Sequence, residues 1–364
     1  MKKKILLILQ YPPPNHGASF VGELIKDSEI INSEYYTRYI NSNLSDRANV
    51  IGKFKIKKIF IYAKILVKVL KELILFKPNV CYFSITSKTT GFFKDFLVGM
   101  IIKLFNNKII FHFHNKGIST VENIFYYDFC YKVLFKNTKA IILSERLYFD
   151  VKKYFKRDDV YICPNGIPFF IDKPMNSPKP INSIKIRLLF LSNLFKAKGV
   201  KTLLKACKIL DNKKVAYSCD FIGDEGDISK TDFEKIVNDL NLNHSVNYHG
   251  KKYGIEKNLF FINSDIFIHP TSEDCFPIVL LEALKFSLPI ISTNVGAIQD
   301  IVIDNYNGFV LKDIDSISLA KSIISLSLNP KLIDQMGYNS NKLFKEKYQQ
   351  KVFENNFINI LKII

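Results

Sequence analysis

Short apolar runs alternate with amphipathic stretches along this chain, and after a proline-rich break the alternation starts again. In the first half the runs KILLILQ (4–10), NVCYFSI (79–85), KIIFHFH (108–114), AIILS (140–144) and VYICP (160–164) read as strands. Helical patterns fall between them near 17–27, 56–76, 91–105, 121–135 and 145–155. The second half offers KIRLLFLS (185–192), AYSCDFIG (216–223), VNYHG (246–250), IFIHP (266–270), PIIST (289–293) and GFVL (308–311). Its helices are expected near 199–210, 229–240, 255–263, 278–286, 297–303 and 316–327. Near-continuous Val/Ile/Leu runs belong to strands buried on both faces, which means parallel sheets flanked by helices. The segment NGIPFFIDKPMNSPKPINS (165–183) holds four prolines and little periodicity, so it marks a boundary. At 364 residues the chain exceeds one ordinary core. The expected architecture is α/β with two Rossmann-like parallel-sheet domains facing a central cleft. The domains span 1–172 and 184–345, joined by a linker at 173–183, and a C-terminal helical run, 346–364, crosses back to the first domain.

Composition narrows the partners. Residues 1–170 carry 27 basic and 13 acidic residues, whereas 171–364 carry 25 and 21. The excess is interleaved with large apolar side chains, as in KFKIKKIFIYAKILVKVLKELILFK (53–77). Nucleic acid, an anionic membrane surface and plain solvation all fit a basic balance. Lys alternating with Ile, Leu and Phe at helical spacing suits an interfacial amphipathic face better than a nucleic-acid stripe. No helix-turn-helix, RNP-type or zinc-finger pattern is present, so nucleic acid is not an expected partner. The opening ILLIL is too short for a signal-peptide core and reads as a first buried strand. No run approaches a bilayer-spanning length. The six cysteines form no CxxC pair and lie mostly in apolar sequence, which reads as reduced, buried thiols in the cytoplasm.

Four loops at strand ends carry the chemistry. In YPPPNHGAS (11–19), Gly17 would let backbone approach a ligand at a helix start. In FHFHNKG (111–117), His112 and His114 alternate along one strand and so face one side. His114, at the strand end, can reach a cleft; a metal pair is the rival reading, without a visible third ligand. In LSNLFKAKGVKTLLKA (191–206), Lys196 and Lys198 precede Gly199 and a helix, a seat for a diphosphate. In SEDCFPIVLLE (272–282), Asp274 and Glu282 bracket an apolar helix start.

Taken together, these pieces resemble the retaining glycosyltransferases of family 4, which have the two-Rossmann GT-B architecture. The resemblance runs through YPPPNHGAS, FHFHNKG, ICPNGIP (162–168), LSNLFKAKGV, FIGDEGD (221–227), YHGKKY (248–253), DIFIHPTSEDCFPIVLLEALKFSLPIIST and NYNGFVL (305–311). It implies transfer of a sugar from a nucleotide-sugar donor, with a uridine nucleotide favoured. The acceptor would be a lipid-linked glycan at the inner face of the membrane, in cell-surface polysaccharide synthesis. It implies His114, Asp274 and Lys198 as catalytic residues. Gly17, Asn193, Lys198, Phe276, Ile278, Val279 and Glu282 would bind the donor, with Glu282 on the ribose hydroxyls. Asp274 stands where the family usually has Glu, with Glu273 as its reserve. Asn193 stands where an arginine is frequent. No metal or other cofactor is implied, and neither KDIDS (312–316) nor GDEGD sits at a metal position. The basic first half would hold the acceptor. Two alternatives stay open at this stage: a sugar-nucleotide epimerase of the same architecture, and a non-catalytic membrane or nucleic-acid binder.

Overall fold

The computed structural model describes residues 2–13, 16–43, 56–105, 107–169 and 185–364. Pro14 and Asn15 of the first loop, and 170–184 of the proline-rich segment, lie outside that set. The chain divides into two compact units: Met1–Gly166 with Gln350–Ile364, and Ile167–Gln349.

The first unit runs β1 (Lys4–Leu9), α1 (Gly17–Asp27), α2 (Glu29–Glu34), β2 (Tyr36–Asn41), α3 (Ile56–Leu75), β3 (Val80–Ile85), α4 (Thr89–Leu104) and β4 (Lys108–Phe113). It continues with α5 (Ile118–Val121), α6 (Phe125–Phe135), β5 (Lys139–Ile142), α7 (Tyr148–Val151) and β6 (Val160–Ile162). All six strands are parallel, in the order β2-β1-β3-β4-β5-β6. Ile5 through Leu9 are fully buried, as expected of a strand covered on both faces. The edge strand β2, YTRYIN, is absent from the sequence reading. At an edge its side chains are half-exposed, so it carries no apolar run.

The second unit runs β7 (Ile186–Leu191), α8 (Val200–Asn212), β8 (Tyr217–Ile222), α9 (Lys230–Asp239), β9 (Val246–Tyr248), α10 (Gly254–Asn263) and β10 (Ile266–His269). Then come α11 (Ile278–Lys285), β11 (Ile290–Thr293), α12 (Ile298–Ile301), β12 (Gly308–Leu311), α13 (Ser316–Ser327) and α14 (Pro330–Leu343). Its strands are also all parallel, in the order β12-β11-β10-β7-β8-β9.

The helical run expected over 346–364 is not a single continuous α-helix. Helix α14 ends at Leu343 and a π turn spans Phe344–Tyr348. After it α15 (Gln350–Ile363) belongs to the first unit. There Phe357 packs edge-on against Tyr82, Tyr35 donates to the Ile358 carbonyl, and Lys362 pairs with Glu34.

From β7 the chain winds outward through β8 and β9, then returns to the other side of β7 with β10. The carboxyl ends of β7 and β10 are therefore a topological switch point, where ligands settle in open α/β sheets.

Candidate donor site

The loops leaving β7 and β10 are fastened to each other. Gly199 ends a 3₁₀ turn (Lys196–Lys198) and opens α8 at φ +81°; a Cβ there would stand 2.1 Å from the Pro270 carbonyl oxygen. Only glycine allows both that backbone and that approach. The Ala197 carbonyl accepts from the Ser272 N–H at 2.8 Å and the Thr271 hydroxyl at 3.1 Å. The Thr293 hydroxyl donates to the Thr271 carbonyl at 2.6 Å, bringing in the β11 loop.

This fastening sets Lys198 against Asp274. The ammonium donates to Asp274 Oδ2 at 2.6 Å and to the Glu273 carbonyl at 3.0 Å. Asp274 Oδ2 also meets His269 Nε2 at 3.0 Å, and Oδ1 accepts the Cys275 N–H at 3.1 Å. Burial works to raise the Asp274 carboxyl. The hydrogen bonds and charges of His269 and Lys198 outweigh it and hold the group down at about 2. Asp274 is thus an anion that only accepts, so the His269 proton facing it sits on Nε2. Of the two neighbouring acids, Asp274 is the one brought onto Lys198; Glu273 is exposed and supplies its carbonyl.

Pro277 occupies the N-cap of α11 and offers no side-chain cap, and α8 likewise opens uncapped. The first-turn N–H groups, those of Ile278 and Val279 among them, carry the positive end of the helix dipole. Phe276 is buried, its ring 6.1 Å from that of Tyr348, so it anchors this turn. Glu282, in the second turn, is paired with Lys257 of α10, whereas Asp274 is paired with Lys198.

Asn193 is an exposed residue of the loop after β7. Its side-chain oxygen accepts the Asp224 N–H at 3.0 Å, fastening the loop after β8. The Lys196 backbone N–H bonds Asp227 at 2.7 Å while its side chain is exposed. His269 and Lys257 escape sequence reasoning. The strand-end argument that singles out His114 applies equally to His269; Lys257 reaches Glu282 only through tertiary packing.

In the first unit, His114 lies just beyond β4. Its ring centroid is 4.0 Å from that of the fully buried His112, whose Nδ1 meets the Tyr82 hydroxyl at 2.7 Å. Burial and, after it, the nearby His16 push His114 down to about 3, so it is a neutral imidazole at physiological pH. His16 caps α1, accepting from the Ser19 N–H at 3.2 Å, and Gly17 is the first residue of that helix. Among the described residues no group of three or more His, Cys, Asp or Glu side chains is placed to hold a metal ion.

Known proteins are similar to this chain in sequence and in fold. Residues 173–343 match the family model described as glycosyl transferases group 1. An uncharacterized glycosyltransferase of Methanocaldococcus jannaschii is 26% identical over 290 residues, covering 74% of this chain and 72% of its relative. The capsular polysaccharide biosynthesis glycosyltransferase CapM of Staphylococcus aureus is 26% identical over 166 residues, 45% of this chain and 42% of its own length. The Anabaena protein Alr3699/HepE, solved in complex with UDP, superposes with a TM-score of 0.77 over 100% of both chains at 14% identity, a likeness of fold. The family match lies in the second unit, where Lys198, Asp274 and Glu282 stand: residues 173–343 are a glycosyl transferases group 1 region, and the two parallel-sheet units have the GT-B fold.

Proposed function

We propose that the chain is a retaining glycosyltransferase of family 4. In this reading it moves a sugar from a UDP-linked donor to a lipid-linked glycan at the inner face of the cell membrane, in cell-surface polysaccharide synthesis. The observation that carries the reading is Lys198 at the switch point of the second sheet, beside two uncapped helix N-termini. An ammonium has three N–H donors, and Lys198 commits two of them to Asp274 and Glu273. The third, with the first-turn N–H groups of α11, is assigned to the donor diphosphate. When the bond from the anomeric carbon to the diphosphate breaks, negative charge grows on the leaving oxygen, and fixed cations and dipoles there lower the barrier. The acceptor hydroxyl attacks from the same face and its proton passes to the departing phosphate oxygen, so configuration is kept. Glu282 would hold the ribose hydroxyls, with Lys257 orienting its carboxylate. Asp274 would meet a sugar hydroxyl through Oδ1, and neutral His114 would hydrogen-bond near the reacting sugar. The scheme assigns no step to a metal, so chelator should leave turnover intact.

The polysaccharide assignment draws on the relative in capsular polysaccharide biosynthesis. Purified protein mixed with labelled nucleotide sugars and lipid-linked acceptors tests the whole. Transfer with retained configuration is expected; neither transfer nor donor hydrolysis with any donor would refute it. An acceptor-free reaction that yields an epimerised nucleotide sugar would replace it with an isomerase.

A further inference from the structure

The connections β2 to β3, β3 to β4 and β4 to β5 all cross the first sheet in one direction, whereas β1 to β2 runs the other way. Right-handed crossovers therefore put α3, α4 and α6 on one face of the sheet and α1 on the other. The three helices form a continuous layer. The Tyr62 hydroxyl of α3 donates to the Lys94 carbonyl of α4 at 2.7 Å, and the rings of Phe93 and Tyr126 join α4 to α6 at 6.0 Å. Their inner sides are conventional core: Val69, Phe92 and Tyr131 are fully buried.

The outer side is not covered by anything among the described residues. Phe60 of α3 is 67% exposed, Leu104 of α4 80% and Phe125 of α6 84%. Val67, Leu97 and Phe129 are half or more exposed as well. Beside this apolar surface runs a lysine line on α3, where Lys64, Lys68 and Lys71 are exposed and recur at helical spacing. The helix as a whole carries five lysines and one glutamate. No described helix is long and apolar enough to cross a membrane.

We infer that the outer layer of α3, α4 and α6 is a docking surface for an anionic bilayer, its lysines on the headgroups and Phe60, Leu104, Phe125 and Phe129 in the interface. Exposed aromatic and aliphatic side chains flanked by lysines match both halves of such a surface. A second copy is disfavoured by charge, because face-to-face pairing sets lysine line against lysine line. Nucleic acid is disfavoured because apolar side chains interrupt the basic track. The inference deepens the membrane part of the proposed function and rests on it.

Co-sedimentation with vesicles of equal parts phosphatidylglycerol and phosphatidylcholine, against phosphatidylcholine alone, tests it. The unaltered protein is expected to bind the anionic vesicles and not the neutral ones. Each lysine near the surface is worth roughly five-fold in partitioning. The triple variant Lys64→Gln, Lys68→Gln, Lys71→Gln should therefore lose on the order of 100-fold. The variant Phe60→Ser, Phe125→Ser, Phe129→Ser should keep binding at low salt and lose the part that survives high salt. Circular dichroism and donor hydrolysis confirm that each variant is folded. Equal binding to both vesicle types, binding unaffected by either variant, or a dimer in light scattering that these substitutions dissolve would overturn the assignment. Donor hydrolysis without vesicle binding removes the surface alone; vesicle binding without hydrolysis removes the transferase reading alone.

Discussion

Replacing Asp274 by Asn tests the ionic centre of the proposed donor site, because the side chain keeps its shape and loses its charge. Asp274 is held at about 2, against 3.8 for an ordinary aspartate, a difference of nearly two units. At 1.36 kcal/mol per unit, ionisation of Asp274 stabilises the folded chain by about 2 kcal/mol. The side chain is only 16% exposed, so solvent screening removes little of this. The folded value is depressed, so the stabilisation is complete above the unfolded value, near pH 4, and fades as pH falls toward 2. Asp274→Asn should therefore cost about 2 kcal/mol at neutral pH, with Lys198 left half-buried and without its counter-charge. Urea unfolding followed by far-UV circular dichroism is the assay, since the chain has no tryptophan. The gap between the two proteins should be full at pH 7 and shrink markedly by pH 3. Adding Lys198→Gln should recover part of the loss at pH 7, the mark of a coupled pair. A variant as stable as the unaltered chain at pH 7, or a gap that persists undiminished at pH 3, would refute the reasoning.

Other sites give separate expectations. Gly199→Ala places a Cβ 2.1 Å from the Pro270 carbonyl oxygen at φ +81°, so it should destabilise by about 1–3 kcal/mol or more and lower the melting temperature visibly. Glu282→Gln should weaken nucleoside-diphosphate binding roughly 10-fold or more, and Lys257→Ala by about 3-fold, by isothermal calorimetry. His114 is held at about 3, below its ordinary 6.5, so the folded chain favours its neutral form. Its contribution to stability is present above pH 6.5 and lost progressively toward pH 3. His114→Asn should flatten the decline in melting temperature over that window, and the rate profile of the unaltered chain should show no His114 inflection between about pH 5 and 8.

Much of the fold is legible in the chain because both sheets are parallel and buried. Runs such as ILLIL and IFIH stand out only when a strand is covered on both faces, and every such strand is visible in the sequence. β2 is not, since an edge strand needs few apolar residues. Helix α14 escapes for a different reason: its packed face breaks the apolar run of Ile333, Met336 and Leu343 with Gly337, Asn339 and Ser340. Ser340 donates to the Leu288 carbonyl at 2.8 Å, Asn339 to the Tyr306 carbonyl at 2.7 Å, and a Cβ on Gly337 would stand 2.4 Å from the Ser287 carbonyl oxygen. The cap Asn329 with Pro330 at the first helical position is the available signal. At the site, residue types at strand ends draw attention to Lys198, Asp274, Glu282 and His114. The partners that fix Asp274 and Glu282, His269 and Lys257, come from other elements, and no local pattern announces them.

Asn193 marks where the cationic side of the proposed donor site departs from the pattern the sequence resembles. An arginine there would bring a fixed charge toward a diphosphate; the asparagine instead ties the β8 loop through the Asp224 N–H. Lys196 is held by its backbone to Asp227, with an exposed side chain. That leaves Lys198 as the one lysine of this pair that is fixed in place, and it is fixed by the short Asp274. In the proposed donor site the shorter acid and the absent arginine would therefore belong together, one well-oriented ammonium doing what two cations would otherwise share. Asn193→Arg puts this to the test. The substitution gives up the Asp224 bond, worth about 1 kcal/mol, and adds a charge-assisted contact of about 1.5–3 kcal/mol when a diphosphate is bound. The free protein should melt slightly lower while a nucleoside diphosphate binds several-fold tighter or more, by calorimetry. Unchanged binding by a folded variant would mean that the diphosphate does not lie near the β7 loop, and the role given to Lys198 would fall with it.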